Sequence, residues 1–270
     1  MFKKRILVVE PHPDDGASKA GGTIARMTME GHEAYFLTIT DGERGTSMDR
    51  TVADVEQLRK TCREEGLRAC KILGGKEDTF LGYPNHDVTP ALEKELREKI
   101  TEVIRRIKPQ IVMTYDPYAL YEPNPDHRTT AYATYDAVSF SQHHLDFPDQ
   151  IRRGLEPHLV DEIWFWNAPN PNYTVDVTET TWTKAKALAA YKSPMEAMIE
   201  EMRQRLRSAG LRSSYLESGS YEEIIMKTFV RSSTQIEDGR FVEKFRIIRP
   251  FISERMPHLL SEGLIEPLKE

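Results

Sequence analysis

Short apolar runs alternate, from residue 6 onward, with longer stretches in which apolar positions recur at helical spacing. Residues 6–10, 34–40, 79–81 and 111–115 read as strands, and residues 18–30, 52–73, 90–107 and the stretch after Asp126 as helices. Such alternation predicts right-handed βαβ crossovers, hence an α/β fold with a Rossmann-like, mostly parallel sheet covered by helices on both faces. The punctuation agrees: Asp15 or Ser18 is placed to cap the first helix, Gly74-Gly75 to stop the second and Pro90 to open the third. Past residue 145 the rhythm loosens around Pro148, Pro157, Pro169 and Pro171, with one apolar run at 163–166. A long helix is predicted over 180–208, then strands over 224–230 and 241–248 and a short helical tail. With no linker to cut it, the chain of residues 1–270 reads as one domain, a core at about 5–195 with a C-terminal β-containing extension at about 210–270.

Composition narrows the function without naming it. At 39% hydrophobic and 30% charged, with a net charge of −6, the chain is an ordinary folded protein without the basic stripe that nucleic acid requires. The apolar run after Lys3-Lys4-Arg5 stops at Glu10, too short for an export signal, and no run approaches the roughly 18 residues of a spanning helix, so no membrane partner is expected and the cytoplasm is the default. Cys62 and Cys70 lie eight apart in a predicted helix, about 2.2 turns and roughly 12 Å along its axis, too far for a mutual disulfide, and read as reduced thiols.

Two loops carry the chemistry. The first strand ends in Pro11-His12-Pro13-Asp14-Asp15, which delivers an imidazole and two carboxylates to the rim where α/β proteins keep their sites. The fourth strand is followed by Asn124-Pro125-Asp126-His127 at the start of another helix. If His127 points back across the strand ends, His12, Asp15 and His127 make a metal-binding set with open positions, and Asp14 is left over as a base. The plainer reading makes these aspartates caps of the two helices, and both readings stand at this point. The loop 40–45, with Arg44, shares the rim, and Tyr115, Tyr118 and Tyr121 flank the second loop as potential substrate contacts.

These segments, with Gly21-Gly22-Thr23, Thr40-Asp41-Gly42-Glu43, Leu73-Gly74, Leu81-Gly82-Tyr83-Pro84 and Val175-Asp176-Val177-Thr178 ahead of Lys184-Ala185-Lys186, appear in the order found in the PIG-L/LmbE-like deacetylases, which the chain resembles over about residues 5–195. Val9-Glu10-Pro11, Tyr121-Glu122, Asp126-His127-Arg128-Thr129-Thr130 and 137–141 look most like its diacetylchitobiose deacetylase group. The resemblance implies Zn2+ on His12, Asp15 and His127, with Asp14 as general base. A rim of loops over a metal suggests a small-molecule substrate, and apolar Ile224-Ile225-Met226 in the C-terminal strand is suited to pairing between subunits, so a homo-oligomer is expected, in keeping with the resembled group. The resemblance also exposes departures. An acid commonly follows the paired aspartates where this chain has Gly16, and a histidine that polarises the carbonyl is replaced by Asn124. An arginine and an aspartate tied to sugar recognition are replaced by Cys62 and Asn85, and a further histidine by Tyr191. The expected activity is hydrolysis of an amide-type C–N bond, most simply N-deacetylation of an amino sugar. It would use Asp14 and Asn124 in catalysis and Arg44, Asn85 and Tyr121 at the substrate. A metal-dependent hydratase and a metal-binding protein without turnover are the alternatives.

Overall fold

The computed structural model describes residues 3–45, 54–250 and 262. Eight strands form one sheet in the order β3-β2-β1-β4-β5-β8-β6, with β7 paired to β8. β1 (Arg5–Glu10), β2 (Glu33–Thr40), β3 (Glu77–Tyr83), β4 (Ile111–Tyr115) and β5 (Glu162–Trp166) are parallel, with Ile6 opposite Ile111 and Val8 opposite Met113 across the centre. The α/β reading is therefore correct. Side chains of β1 alternate between two cores. Ile6 and Val8 pack with Ala17, Ala20 and Ile24 of α1 (Asp15–Met29), while Leu7 and Val9 pack with Leu96, Ile100 and Ile104 of α3 (Glu93–Ile107). Burial on both faces is why the strand is an unbroken apolar run.

The helices begin and end close to their signals. α1 starts at Asp15 rather than Ser18, with Asp14 in the capping position. α2 (Val55–Ile72) ends where Gly74, at φ +80°, lets the backbone turn back and Gly75 N–H reach Cys70 O, while residues 52–53 of the predicted helix lie outside the described residues. Pro90 opens a single 3-10 turn that runs into α3. α4 (Pro125–Phe140) follows β4, and a five-residue helix, α5 (Pro148–Arg152), precedes β5.

Three expectations for the C-terminal third need correction. The long helix over 180–208 is two helices, α6 (Thr181–Ala190) and α7 (Lys192–Ser208), broken at Tyr191. Pro194 is the cause, because its ring would meet the carbonyl of residue 190 in a continuous helix. Residues 224–230 are not a strand: Ile225–Val230 is a π-helix, and Ile225 and Val230, five apart, are both buried, which fits its wider turn. An exposed apolar strand for subunit pairing is thereby lost, since Ile224 and Ile225 belong to the chain's own core. The predicted strand over 241–248 is correct: β8 (Arg240–Ile248) runs antiparallel to β5, β6 (Tyr173–Asp176) and β7 (Gln235–Glu237). The predicted helical tail lies outside the described residues, Glu262 excepted.

The Gly21-Gly22, 175–178 and Lys184 motifs serve packing rather than chemistry. A Cβ on Gly22 would stand 2.7 Å from Val177, and one on Gly21 would stand 3.1 Å from Lys184. Lys184 is buried without exposure and donates to Glu243 Oε1 at 2.7 Å and Thr234 Oγ1 at 3.1 Å. The Glu243 carboxylate also accepts from the N–H groups of Gly22 and Thr23. The ion pair thus joins β8 to the helix of residues 181–190, and the same carboxylate fastens β8 to α1, the helix that carries Asp15. Among the described residues no helix is long and apolar enough to cross a membrane.

Candidate metal centre

β1 and β4 are neighbours from which the chain continues in opposite directions across the sheet, and their C-terminal ends frame the crevice where doubly wound proteins bind ligands. His12 and Asp15 leave the end of β1, and His127 sits in the first turn of α4 beyond β4. Ligand atoms more than a hundred residues apart thus converge. His12 Nδ1 lies 3.2 Å from Asp15 Oδ2 and 3.1 Å from His127 Nε2, and His127 Nε2 lies 3.6 Å from Asp15 Oδ2. Tetrahedral coordination at zinc–ligand lengths of 2.0–2.1 Å requires ligand atoms about 3.3 Å apart, which is the spacing of this triangle.

The surrounding hydrogen bonds decide what the triangle holds. His12 Nε2 faces Asp126 Oδ2 at 2.9 Å, and His127 Nδ1 faces Glu122 Oε1 at 3.0 Å, off the line of a hydrogen bond. Tyr115 donates to Asp15 Oδ1 at 2.7 Å, and the His12 N–H donates to Asp15 Oδ2 at 3.0 Å. With the outer ring nitrogens turned to carboxylates, the two inner nitrogens present lone pairs to each other and to a carboxylate oxygen. Three lone pairs facing one point repel unless a cation stands there, and outer carboxylates of this kind commonly fix the rings of metal-ligating histidines. His12, Asp15 and His127 are therefore a candidate metal site.

In the metal-free chain a proton takes that place. Burial opposes a charge on His12, but hydrogen bonds to Asp126 and Asp15 outweigh it and raise its pKa to about 10. Asp15 is held well below the usual carboxylate range: burial opposes this, and the two histidines and Tyr115 overcome it. At neutral pH the metal-free ring is thus protonated, and an incoming divalent ion has to displace that proton. Titration of the metal-free protein with Zn2+ is expected to release about one proton per ion at pH 7, read by calorimetry in buffers of different ionisation enthalpy. Zero release would show that His12 is neutral before binding.

Asp14 occupies the N-cap position of α1, yet its side chain makes no capping hydrogen bond. Burial first, and then the charge of Asp15, raise its pKa. The plain capping reading therefore fails for Asp14. On α4 the cap is Asn124, whose Oδ1 accepts from Asp126 N at 2.9 Å, which leaves the Asn124 Nδ2 hydrogens for another partner. Asp126 is fully buried and does not cap its helix: its carboxylate takes His12 Nε2 and the N–H groups of His86 and Val88.

Sequence reasoning missed three contributors. Asp126 was legible only as a neighbour of His127, because its partners His12, His86 and Val88 lie across the crevice, and Glu122, which faces His127 from the same loop, carries no signal of its own. His86, which stands in neither of the two loop motifs, has its ring centroid 6.4 Å from that of His12. The absent acid at Gly16 is also explained. The Gly16 N–H donates to Glu10 Oε2 at 2.7 Å, and a Cβ there would meet that same oxygen at 2.7 Å and Val8 at 2.9 Å. Glu10, buried and also bonded to Thr38 Oγ1, supplies a carboxylate from β1. Gly16→Ala is therefore expected to destabilise by about 1–3 kcal/mol through overpacking, opposite in sign to the roughly 1 kcal/mol helix-propensity gain, as measured by denaturant unfolding.

The rim residues fall in different settings. Arg44 makes a bidentate pair with Asp87 at 2.9 Å, Tyr121 is 97% exposed, and Asn85 is buried with its Oδ1 unbonded. Cys62 is buried and its thiol is pushed up to about 12, by burial and then by nearby acids, so it is not a nucleophile. Arginines instead reach the rim from the flanking positions of α2: Arg63 pairs with both oxygens of Asp41, and Arg59 with Glu43.

The sequence profile of the PIG-L family, described as GlcNAc-PI de-N-acetylase, matches residues 7–138. The diacetylchitobiose deacetylase of Thermococcus kodakarensis is 33% identical over 74% of this chain and 73% of its own. The structure of N,N'-diacetylchitobiose deacetylase from Pyrococcus horikoshii, complexed with an inhibitor, is similar with a TM-score of 0.73 at 28% identity, over 93% of this chain and 86% of that one. GalB, the 4-carboxy-2-hydroxymuconate hydratase of Pseudomonas putida, covers 93% of this chain and 98% of its own with a TM-score of 0.63 at 19% identity, and shares the fold alone.

Proposed function

Because the chain belongs to the PIG-L family of de-N-acetylases, we propose that it is a zinc-dependent hydrolase. It cleaves the amide C–N bond of a small N-acylated amino sugar and releases a carboxylic acid and a free amine. The observation that carries this reading is the uncommitted carboxylate of Asp14 beside the His12, Asp15 and His127 triangle, since a purely structural metal site has no use for it. Two imidazoles and a carboxylate suit zinc and leave coordination positions open. A cation held by these three residues supplies Lewis-acid chemistry, making water acidic and the amide carbonyl electrophilic.

The chain's own groups do the rest. Asp14 takes a proton from the attacking water as the carbon–oxygen bond forms, and delivers it to the nitrogen as the C–N bond breaks. Its raised pKa makes it the stronger base for the first step and a competent acid for the second. Asp126 and Glu122 hold the two rings in register, and Tyr115 holds Asp15. The Nδ2 group of Asn124 donates to the carbonyl oxygen. At the rim, Arg44 and Tyr121 meet the sugar, and the unbonded Oδ1 of Asn85 accepts from one of its hydroxyls. The protein works in the cytoplasm as a homo-oligomer, on a small molecule rather than a nucleic acid or a membrane.

Acetate release from a panel of N-acetylated mono- and disaccharides, measured on protein stripped with a chelator and then reloaded with Zn2+, tests the reading. Turnover that disappears on stripping and returns on reloading supports it. A fully loaded protein that hydrolyses no member of the panel sinks it.

A further inference from the structure

We propose that His86 is a catalytic residue, donating a hydrogen bond to the substrate carbonyl oxygen as it gains negative charge; this rests on the amide-hydrolysis reading above. Its backbone is held at φ +69°, a left-handed conformation uncommon outside glycine. Such strain persists only where surrounding contacts enforce it, and it gathers at working sites. Here the enforcing contact is Asp126. The His86 N–H donates at 2.7 Å to Asp126 Oδ2, the same oxygen that faces His12 Nε2 at 2.9 Å, and Val88 N–H takes the other oxygen at 3.0 Å. One buried carboxylate thus sets both His12 and the backbone that carries His86.

The ring that results stands edge-on to His12, at 87° with centroids 6.4 Å apart. It is exposed, and neither ring nitrogen is hydrogen-bonded to a described residue. A neutral imidazole carries one N–H in either tautomer, so an unengaged donor stands beside the metal triangle. Amide hydrolysis needs donors placed where the oxyanion develops, commonly more than one, and Asn124 has already given its carbonyl to the α4 cap. His86 provides the second donor from the opposite loop.

The test uses two variants that keep the left-handed backbone. His86→Gly removes the ring, and His86→Asn leaves a shorter donor. In zinc-loaded His86→Gly, kcat on an N-acetylated amino sugar is expected to fall roughly a hundredfold, with KM within about threefold and the metal content unchanged. His86→Asn should lie between this variant and the parent. Binding gives the second readout. The methylphosphonamidate of glucosamine, which carries tetrahedral oxygens in place of the acetyl group, should bind His86→Gly at least about tenfold more weakly, while glucosamine itself binds both proteins alike. Parent-like kcat, activity lost in step with zinc, or an unchanged phosphonamidate Kd would overturn the assignment. A parent protein that hydrolyses no acylated amino sugar would refute the amide-hydrolysis reading instead, and the phosphonamidate comparison would still decide His86.

Discussion

Asp14→Asn is expected to lower kcat by about 10²–10⁴-fold while zinc remains bound at the parent level, because the substitution keeps the shape of the side chain and removes only its capacity to take a proton. Two features of the structure make this the largest catalytic effect. Asp14 stands at the start of α1 without spending its carboxylate on the helix, so the amide costs no capping hydrogen bond and the fold is not expected to weaken. It also lies outside the triangle of His12, Asp15 and His127, so the ligands stay intact. Asp15→Asn makes the instructive contrast: its Oδ2 lies 3.2 Å from His12 Nδ1 and 3.6 Å from His127 Nε2, and this variant should lose metal and activity together. Metal analysis beside steady-state kinetics separates the two neighbours. If Asp14→Asn turns over within threefold of the parent, another group is the base.

The largest effect on stability is expected far from the chemistry. Lys184→Met should destabilise the protein by about 3–5 kcal/mol, because it leaves the Glu243 carboxylate buried without its counter-charge. Burial lowers the pKa of Lys184 and Glu243 works against that, so the charge of the ammonium is sustained by Glu243, with Thr234 accepting a further hydrogen bond. The pair itself need not be worth that much. A double variant, Lys184→Met with Glu243→Gln, removes both charges and keeps a carbonyl acceptor for one of the two N–H groups, Gly22 and Thr23, that now donate to separate oxygens of Glu243. It is expected to recover at least half of the loss. Urea unfolding of the two variants and the parent decides this. A single variant within 1 kcal/mol of the parent would mean that water reaches Glu243 once the lysine is gone.

The departures from the family pattern look different once contacts are known. Gly16 is compensated, since the carboxylate of Glu10 fills the place beside it. Cys62 does not leave the rim without guanidinium groups, because Arg59 and Arg63 reach it from the adjacent helical positions. Asn124 exchanges an imidazole for a helix cap and an amide donor. Each change is a single letter in the sequence, and its consequence depends on a residue elsewhere in the chain.

The order of strands and helices was legible because burial on both faces of a parallel sheet writes itself as apolar runs, and glycine and proline mark the ends of helices by local backbone geometry. The candidate metal residues were legible because the strand ends of an α/β sheet are where loops gather, and His-Pro-Asp-Asp and Pro-Asp-His follow two such ends. The sequence misled where local preference lost to packing: residues 224–230 carry strand-forming side chains but bury Ile225 and Val230 on one side of a π-helix. Only the tertiary structure decided that β1 and β4 are neighbours, that Asp126 orders both His12 and the His86 loop, and that Glu10 and Lys184 have partners. Those facts depend on distances between residues remote in the chain, and composition and periodicity carry no information about such distances.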